Sequence, residues 1–414
     1  MKLLVFAHTP PPHHGQSYMV QLMLEGFGGD ARRRKPVSDD AAATSHGIEC
    51  YHVNARFSRG LSDIGEFQGA KMLLIVWFWL QSLWIRFRYG VTNFYYIPAP
   101  GKSVALYRDW LVMSLCRPFF KNVILHWEAA GLGKWLETSA QIRSRAITYR
   151  LFKPVNLSMV LSRYNVADAE KFLSRNIVVV NNGIPDPCPD YLETIQPQRR
   201  VRFAVRLKLF AGMTPTPREM AEAGDAPDVI KVLFLANGLR EKGLFAAMRG
   251  VVAANRSLQT THRSLRMKLV FAGNFMTTEE RKEFDQLLQL PEFASAVTHA
   301  GFVSGASKLR VLREADMFCF PTQYLGENQP VCLIEAMAFG LPIVTTRWRS
   351  LPEMLPPDYP GLVPGQDPEE IASTLLKMAT IESSDQLFRE MFLKRFSLDQ
   401  YLSGLAAALH RVDE

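Results

Sequence analysis

The sequence has no long hydrophobic run and few cysteines. Its longest uninterrupted apolar run, residues 72–80, is less than half of the about 20 residues that a membrane-spanning helix needs. The five cysteines are scattered, with no C-x-x-C pair and no histidine at zinc-ligand spacing. These absences exclude a membrane-spanning helix, a zinc finger and a disulfide framework, and they indicate a reducing compartment.

The amino terminus lacks the apolar core of a secretory signal. "MKLLVFAHTPPP" has only about six apolar residues before polar residues and prolines follow, which favours a first β-strand over a signal peptide. We therefore expect a cytoplasmic protein, with peripheral attachment at the inner face of the membrane as an option.

Acidic residues are scarce in one half of the chain only. Residues 1–205 hold 25 Lys and Arg against 15 Asp and Glu, whereas the remainder holds 23 against 25. No zinc finger, arginine-rich arm or aromatic RNA-binding pattern accompanies the basic half, so nucleic acid is not expected as a partner. An anionic membrane surface or a phosphorylated or lipid-linked substrate fits the charge. The alternative is that the basic residues only keep the protein soluble.

What the sequence does contain is an alternation of short apolar runs with segments of helical periodicity. A chain of 414 residues exceeds the roughly 250–300 residues at which one core stops growing, so two domains are expected. Buried parallel strands covered by helices on both faces explain the alternation and predict an α/β fold with two doubly wound domains. The predicted strands are residues 2–7, 94–97, 123–127, 158–161 and 177–180, followed by 232–236, 268–272, 317–321 and 342–345.

Composition divides the chain into four parts. Prolines, glycines and charged residues cluster between the two alternating regions and predict a linker with an insertion. We expect an N-terminal acceptor-binding domain, this linker, a C-terminal nucleotide-sugar-binding domain and a closing helix, at residues 1–200, 201–230, 231–390 and 391–414. Residues 71–90 are interpreted as a buried helix beside the sheet, with a helix lying in a membrane interface as the alternative.

Two glycine-containing loops are candidate phosphate sites. Gly15 precedes a helix, where a glycine lets backbone N–H groups approach an anion. In "LANGLREKG", Lys242 follows Asn237 by five positions and could fold back onto a diphosphate. Neither loop matches G-x-G-x-x-G or the Walker A pattern. An ordinary loop is the favoured interpretation of each segment when it is taken alone.

The segment "GENQPVCLIEAMAFGLP" carries two carboxylates, Glu327 and Glu335, in an apolar setting. Pro330 suits the first turn of a helix, so Glu327 is expected on the loop before it and Glu335 within it. A carboxylate among apolar neighbours needs hydrogen bonds, and two ribose hydroxyls can donate them. The alternative is a glutamate that faces solvent on an amphipathic helix.

The order of strand, lysine loop and "FPTQYLGENQPVCLIEAMAFGLPIVTT" resembles the C-terminal domain of retaining glycosyltransferase family 4, with its E-x7-E motif. The resemblance extends over about residues 3–401 and is densest in residues 301–352. "VVVNNGIPDP" is similar to the family's passage into its interdomain linker. The resemblance implies the GT-B fold, with two Rossmann-like doubly wound domains facing a central cleft.

The resemblance also implies a nucleoside-diphosphate sugar bound mainly by the C-terminal domain. Glu335 would hold the ribose hydroxyls and Lys242 the diphosphate, while Gly15 would close over the phosphates. No cofactor and no metal ion are implied, because a lysine and helix N-termini can neutralise the leaving diphosphate, and the sequence has no D-x-D pair.

The transferring sugar would meet the loop before the helix. Glu327 would contact this sugar, according to the resemblance. Backbone N–H groups near Asn328, Gln329 and Pro330 would reach its hydroxyls. Because proline has no N–H, Val331 is the next donor after Gln329.

Two positions depart from the family pattern. Asn237 stands where the family usually has an arginine beside the lysine, and Arg240 is a possible substitute. In "NVILHWEAAGLGKWL", the usual catalytic histidine falls at Glu128, with His126 two residues earlier on the same face of a strand. Glu128 would stabilise positive charge at the anomeric carbon if it faces that atom, whereas His126 would bind a sugar hydroxyl.

The resemblance therefore predicts a metal-independent, hexosyltransferase-type retaining enzyme. It would move a sugar to a glycan or lipid-linked acceptor in polysaccharide or glycolipid biosynthesis. The alternatives are a non-catalytic sugar-nucleotide-binding subunit of a polysaccharide assembly complex and a GT-B sugar-nucleotide epimerase. Loops such as residues 44–68 are expected to carry specificity, although the sequence gives no physical interpretation of them.

Overall fold

The computed structural model describes residues 1–11, 14–34, 46–56, 69–261, 264–381 and 385–412. These residues form two compact units. The first contains Met1–Ile184, Gly326–Gln329 and Arg395–Glu414, and the second contains Pro185–Leu325 and Pro330–Lys394. The loop that carries Glu327 therefore belongs to the first unit, although its neighbours in sequence belong to the second.

Each unit contains a six-stranded parallel sheet. The sheet of the first unit has the order β2-β1-β3-β4-β5-β6 and the sheet of the second β12-β11-β10-β7-β8-β9. The strands are β1 (Lys2–Ala7), β2 (Glu49–Asn54), β3 (Asn93–Tyr96), β4 (Asn122–Trp127), β5 (Val155–Val160), β6 (Ser174–Val179), β7 (Val229–Leu235), β8 (Arg266–Ala272), β9 (Val297–Gly301), β10 (Met317–Phe320), β11 (Ile343–Thr346) and β12 (Leu362–Val363).

Helices connect the parallel strands, as crossover connections require. They are α1 (Gly15–Gly26), α2 (Gly69–Tyr89), α3 (Ser103–Cys116), α4 (Leu132–Thr138), α5 (Ile142–Phe152), α6 (Val166–Glu170), α7 (Gln196–Phe210), α8 (Pro217–Glu222), α9 (Leu244–Thr261), α10 (Thr278–Leu287), α11 (Pro291–Ala296), α12 (Gly305–Glu314), α13 (Val331–Ala338), α14 (Leu351–Met354), α15 (Pro368–Thr380), α16 (Asp385–Met391) and α17 (Leu398–His410).

The two sheets confirm the prediction of an α/β protein with two Rossmann-like domains. All nine predicted strands are present, within three residues at each end. The strands that were not predicted, β2, β9 and β12, all lie at sheet edges. Edge strands are not enclosed on both sides, so their sequences do not form the continuous apolar runs that mark central parallel strands.

The boundaries of the compact units differ from the expected domain limits. The chain leaves the first unit at Ile184 rather than near residue 200. Residues 201–230, expected to be a linker, lie in the second unit and contain most of α7 and all of α8. Arg206 explains why this segment packs, because its guanidinium donates hydrogen bonds to the carbonyls of Pro227 and Val229 and pairs with Asp316 at 2.8 Å.

The closing helix α17 belongs to the first unit. Its backbone is joined to the residues that follow β6, since Leu398 N–H donates to the Ile184 carbonyl at 2.8 Å. Gly183 permits this approach, because a Cβ there would lie 2.3 Å from the carbonyl oxygen of Ser397. The C-terminal segment therefore completes the first unit.

Helix α2 packs against the first sheet with one face only. Ile75, Phe78 and Ile85 are buried in this face, whereas Trp77 and Trp84 on the opposite side are 57% and 52% exposed. The interpretation of this segment as a buried helix beside the sheet is therefore right for its inner face and wrong for its outer face. Among the described residues, no helix combines the length and apolar character needed to cross a bilayer.

Candidate functional site

The N-terminus of α1 lies at the carboxyl end of β1. Gly15 is the first residue of α1, and His14 caps the helix by accepting a hydrogen bond from Ser17 N–H through its side chain. The Nε2 atoms of His8 and His14 lie 2.8 Å apart. Burial, followed by the neighbouring His14, lowers the pKa of His8 to about 4. The His8 imidazole that contacts the capping His14 is therefore neutral at neutral pH.

A buried polar cluster lies at the carboxyl ends of β3 and β4. His126, the penultimate residue of β4, has no solvent exposure, and its Nδ1 lies 2.6 Å from the hydroxyl of Tyr95 on β3. Burial lowers the pKa of His126 to about 3, so the ring is neutral at neutral pH. Within the described part of the chain, its Nε2 has no hydrogen-bond partner. An unpaired buried nitrogen is costly, which makes this atom a candidate contact for a ligand.

Glu128 lies directly after β4 and belongs to the same cluster. Its Oε1 is 3.7 Å from His126 Nδ1 and its side chain is 5% exposed. Burial raises the pKa of Glu128 to about 8, against the opposing effect of a hydrogen bond with Asn182. Because both groups are then neutral near pH 7, their proximity is not an ion pair. This rise favours the protonated form of Glu128, whereas the predicted role at the anomeric carbon requires the carboxylate, so that role stays a prediction.

The loop Gly326–Gln329 is held in the first unit by the side-chain amides of Asn328 and Gln329. Asn328 Nδ2 donates to the carbonyl of Trp127 at 3.1 Å, and Gln329 Nε2 donates to the carbonyl of Leu161 at 2.5 Å. In return, Asn182 N–H donates to Gln329 Oε1 at 2.9 Å. These hydrogen bonds fix the loop in the first unit.

Glu327 lies on this loop and is 8% exposed. The expectation that it precedes the helix rather than lying on it is confirmed, because α13 begins at Val331. Pro330 is the residue before the helix, with ψ of 125°, rather than a residue of its first turn. The difference is small because the helix needs no backbone N–H at either position, so the N–H that proline lacks is not missed.

In the second unit, residues 236–243 connect β7 to α9 and carry Asn237 and Lys242. Gly243 has φ of +88°, and a Cβ there would lie 2.3 Å from the Pro321 carbonyl oxygen. The glycine therefore allows the lysine loop to approach the residue that follows β10. Lys242 Nζ lies 5.5 Å from the ring centroid of Tyr324.

Arg240 was considered as a substitute for the arginine that the family has at Asn237. Its guanidinium instead pairs with Glu283 and lies over the ring of Phe245, while its backbone N–H donates to Glu280. This arrangement directs the Arg240 side chain to α9 and α10. The proposed substitution is not supported by the structure.

Glu335 lies on α13 and is 7% exposed, which excludes the alternative of a solvent-facing glutamate. Its Oε1 accepts a hydrogen bond from Lys308 Nζ on α12 at 2.5 Å. Burial raises the pKa of Glu335, and Lys308 opposes this rise. No described residue donates a hydrogen bond to Oε2, so one oxygen of this buried carboxylate remains to receive a hydroxyl.

Sequence reasoning missed Tyr95, Asn182 and Lys308. Tyr95 lies inside a short strand and Asn182 follows "VVVN", patterns that predict only strands, and Lys308 occurs among ordinary helix residues. Their contacts with His126, Glu128 and Glu335 connect residues at least 27 positions apart in sequence. The described residues contain no group of three His, Cys, Asp or Glu side chains placed to hold a metal ion.

Part of the second unit matches a known protein family. Residues 231–380 match the family model described as "Glycosyl transferases group 1". The chain is 24% identical over 331 residues to the protein named colanic acid biosynthesis glycosyltransferase WcaL of Salmonella typhimurium, covering 74% of this chain and 75% of that protein. It is 32% identical over 97 residues to amylovoran biosynthesis glycosyltransferase AmsK of Erwinia amylovora, covering 22% and 24%.

Solved structures resemble the complete chain. Sucrose-phosphate synthase from Thermosynechococcus elongatus has a TM-score of 0.65 at 16% identity, covering 100% of this chain and 99% of that one. HepE from Anabaena, in complex with UDP and glucose, has a TM-score of 0.61 at 13% identity, covering 99% of both chains. Together with the two parallel six-stranded sheets, these likenesses identify the fold as GT-B.

Proposed function

We propose that the protein is a retaining glycosyltransferase that moves a sugar from a nucleoside-diphosphate sugar to a glycan or lipid-linked acceptor in polysaccharide biosynthesis. The match of residues 231–380 to glycosyl transferases group 1 supports the reaction class. The names of the relatives, which refer to colanic acid and amylovoran, support the type of product. The described cysteines are all free, which supports a cytoplasmic location.

The observation that carries this proposal is the buried carboxylate of Glu335. Lys308 occupies one oxygen and keeps the carboxylate close to a positive charge. The second oxygen can accept hydrogen bonds from the two vicinal hydroxyls of a ribose, which are otherwise costly to bury. Glu335 is therefore the residue to which we assign the ribose of the donor.

Lys242 is assigned to the diphosphate of the same donor. Gly243 holds the lysine loop against the residue after β10, and the ammonium group can pair with phosphate oxygens. Asn237 on this loop can donate an additional hydrogen bond, and the role of Gly15 at the phosphates stays a prediction of the sequence. We propose that these groups and helix N-termini neutralise the leaving diphosphate without a metal ion.

The transferring sugar is assigned to Glu327 and to backbone N–H groups of Asn328, Gln329 and Val331. The side chains of Asn328 and Gln329 support this assignment indirectly, because their hydrogen bonds fix the loop. A fixed loop presents its N–H groups in one arrangement before the donor binds, which lowers the cost of binding.

His126 and Glu128 are assigned to sugar hydroxyls near the anomeric carbon. The unpaired Nε2 of His126 and Oε1 of Glu128 are buried polar atoms that a hydroxyl would satisfy. Burial raises the pKa of Glu128 to about 8, so we propose that Glu128 donates a hydrogen bond in its protonated form and does not act as a nucleophile. We propose that the acceptor oxygen attacks C1 on the face from which the diphosphate departs, while the departing phosphate oxygen takes the acceptor proton.

Incubation with UDP-, GDP- and ADP-sugars tests the proposal. We expect one donor class to be hydrolysed or transferred, with retained anomeric configuration by NMR of the product. Glu335→Gln should weaken donor binding, whereas Glu279→Gln, an exposed residue of α10, should not. Binding without turnover across polysaccharide-repeat and lipid-linked acceptors would instead indicate a non-catalytic subunit, and an inverted product would refute retention.

A further inference from the structure

Helix α2 presents a row of large apolar side chains to solvent. Leu73, Trp77, Leu80, Trp84 and Phe87 are between 48% and 75% exposed. Their spacing of three or four residues places them on one face of the helix. Ser82, on the opposite face, is fully buried and donates a hydrogen bond to the Phe78 carbonyl at 2.8 Å. We call the outward row the α2 face; it extends over about 21 Å, at 1.5 Å per residue.

An exposed row of this kind is unusual for a helix on a soluble protein. A helix that covers a sheet normally has polar residues on its outer side, and one that is apolar all round is normally buried. Within the described residues, no other element covers the α2 face. Two of its five members are tryptophans, whose amphipathic rings favour the boundary between water and lipid.

The α2 face continues beyond its own helix. The ring centroids of Phe87 and Phe119 lie 6.3 Å apart, and Arg86 Nε donates to the Phe119 carbonyl at 2.7 Å. Phe119 follows α3, which packs beside both α2 and α5. On α5, Ile142 and Ile147 are 72% and 41% exposed. The outer surfaces of α2, α3 and α5 therefore form one region of exposed apolar residues.

The charge of these three helices has one sign at the surface. Lys and Arg number three in α2, one in α3 and three in α5, against one acidic residue, Asp109. Asp109 is fully buried, and its carboxylate accepts hydrogen bonds from the Tyr96 hydroxyl at 2.6 Å and from Ala99 N–H. Arg88, Arg143 and Arg150 are exposed. The surface is therefore apolar and positively charged.

From these observations we infer that the α2 face binds the surface of an anionic phospholipid bilayer, with α2 lying in the plane of the interface. The apolar row would enter the boundary between headgroups and acyl chains, while the arginines would pair with lipid phosphates. The helix cannot lie across the bilayer, because its opposite face is packed against the sheet.

A second copy of the chain is the competing occupant of the α2 face. A two-fold dimer through α2 would place the same surface on both sides of the interface. It would then bring Arg88 and the other exposed arginines of one copy close to those of the other, without acidic partners on these helices. Charge complementarity therefore favours anionic lipid.

This inference does not depend on the proposed catalytic activity, because lipid binding is measured without donor or acceptor. Flotation with vesicles of phosphatidylcholine alone and of equimolar phosphatidylcholine and phosphatidylglycerol provides the test. We expect binding to the anionic vesicles only, and a loss of binding as salt rises, because salt screens the attraction. Arg88→Gln should weaken binding about fivefold.

Paired variants locate the surface. The double variant Trp77→Ser with Trp84→Ser should lower the affinity for anionic vesicles by at least roughly tenfold. Leu192→Ser with Leu290→Ser removes exposed apolar residues of the second unit, which are 65% and 47% exposed, and should leave binding unchanged. Circular dichroism melts would establish that both double variants fold.

Tryptophan fluorescence supplies a second readout. Vesicles with brominated acyl chains should quench part of the wild-type emission, and the loss of Trp77 and Trp84 should abolish that quenching. Absence of wild-type binding, equal binding by the two double variants, or lipid-free self-association that depends on Trp77 and Trp84 in sedimentation would each overturn the inference.

Discussion

The hydroxyl of Tyr95 and Nδ1 of His126 form a hydrogen bond of 2.6 Å between neighbouring strands, with both side chains fully buried. Burial raises the pKa of Tyr95 well above its usual value, so the hydroxyl keeps its proton. We expect Tyr95→Phe to lower the free energy of unfolding by about 1–3 kcal/mol, because the imidazole loses its partner in a buried site. Urea unfolding measures this change. Tyr107→Phe, at a 49% exposed residue of α3, is the control, and an equal loss in both variants would contradict the assigned role.

Glu128 should make the stability of the protein depend on pH. Its pKa is about 8 in the folded protein against 4.5 as its ordinary value. Between these values the folded state holds a proton that the unfolded state has released, so the free energy of unfolding falls as pH rises. Relative to the wild type, Glu128→Gln should gain stability on the order of a few kcal/mol between pH 5 and pH 8.5. Urea unfolding at the two pH values tests this. Glu170→Gln, at an exposed residue of α6, should show no such gain.

Lys308 should stabilise the charged form of Glu335. Lys308→Met leaves the buried carboxylate without its ammonium partner, and we expect a loss of about 1–3 kcal/mol at pH 8, reduced because Lys308 is partly exposed. The loss should be smaller at pH 5, where a carboxyl with a raised pKa accepts a proton more readily. A double-mutant cycle with Glu335→Gln measures the coupling. A coupling energy near zero would show that the two side chains do not act together.

Lys242 should contribute to binding of the diphosphate rather than of the nucleoside. We expect Lys242→Ala to weaken binding of the nucleoside diphosphate by roughly 10- to 100-fold, as expected for loss of a hydrogen bond between charged groups. Binding of the corresponding nucleoside should not change. Titration calorimetry compares the two ligands, with Lys377→Ala, an exposed residue of α15, as control. Equal weakening for nucleoside and nucleoside diphosphate would exclude a phosphate contact.

Gly243 should tolerate no side chain. A Cβ there would lie 2.3 Å from the Pro321 carbonyl, whereas a Cβ at Gly212 would meet nothing within 4 Å, although both residues have positive φ. Gly212→Ala therefore measures the backbone strain alone. We expect Gly243→Ala to destabilise the protein by about 2 kcal/mol more than Gly212→Ala in thermal unfolding. Similar melting temperatures for the two variants would show that the loop can move away from Pro321.

The sequence predicted the central strands well because each is a buried apolar run between polar connections. It also predicted that Glu327 precedes a helix and that Glu335 lies within it, because Pro330 limits where the helix can start. The edge strand β2 was missed, since polar residues interrupt "ECYHVN" and it does not resemble a fully buried strand. The exposed side of α2 was missed for a related reason: a run of apolar residues does not show which of them a sheet will cover.

By itself, the sequence determined the α/β architecture, the division of positive charge and the positions of the candidate carboxylates along the chain. These properties depend on composition and on local periodicity, which a linear sequence records. Only the tertiary structure decided that Glu128 is buried beside His126, that Lys308 pairs with Glu335 and that Asn328 and Gln329 fix the loop. Each of these results depends on burial and on partners from distant parts of the chain, and the packing of the folded protein alone sets both.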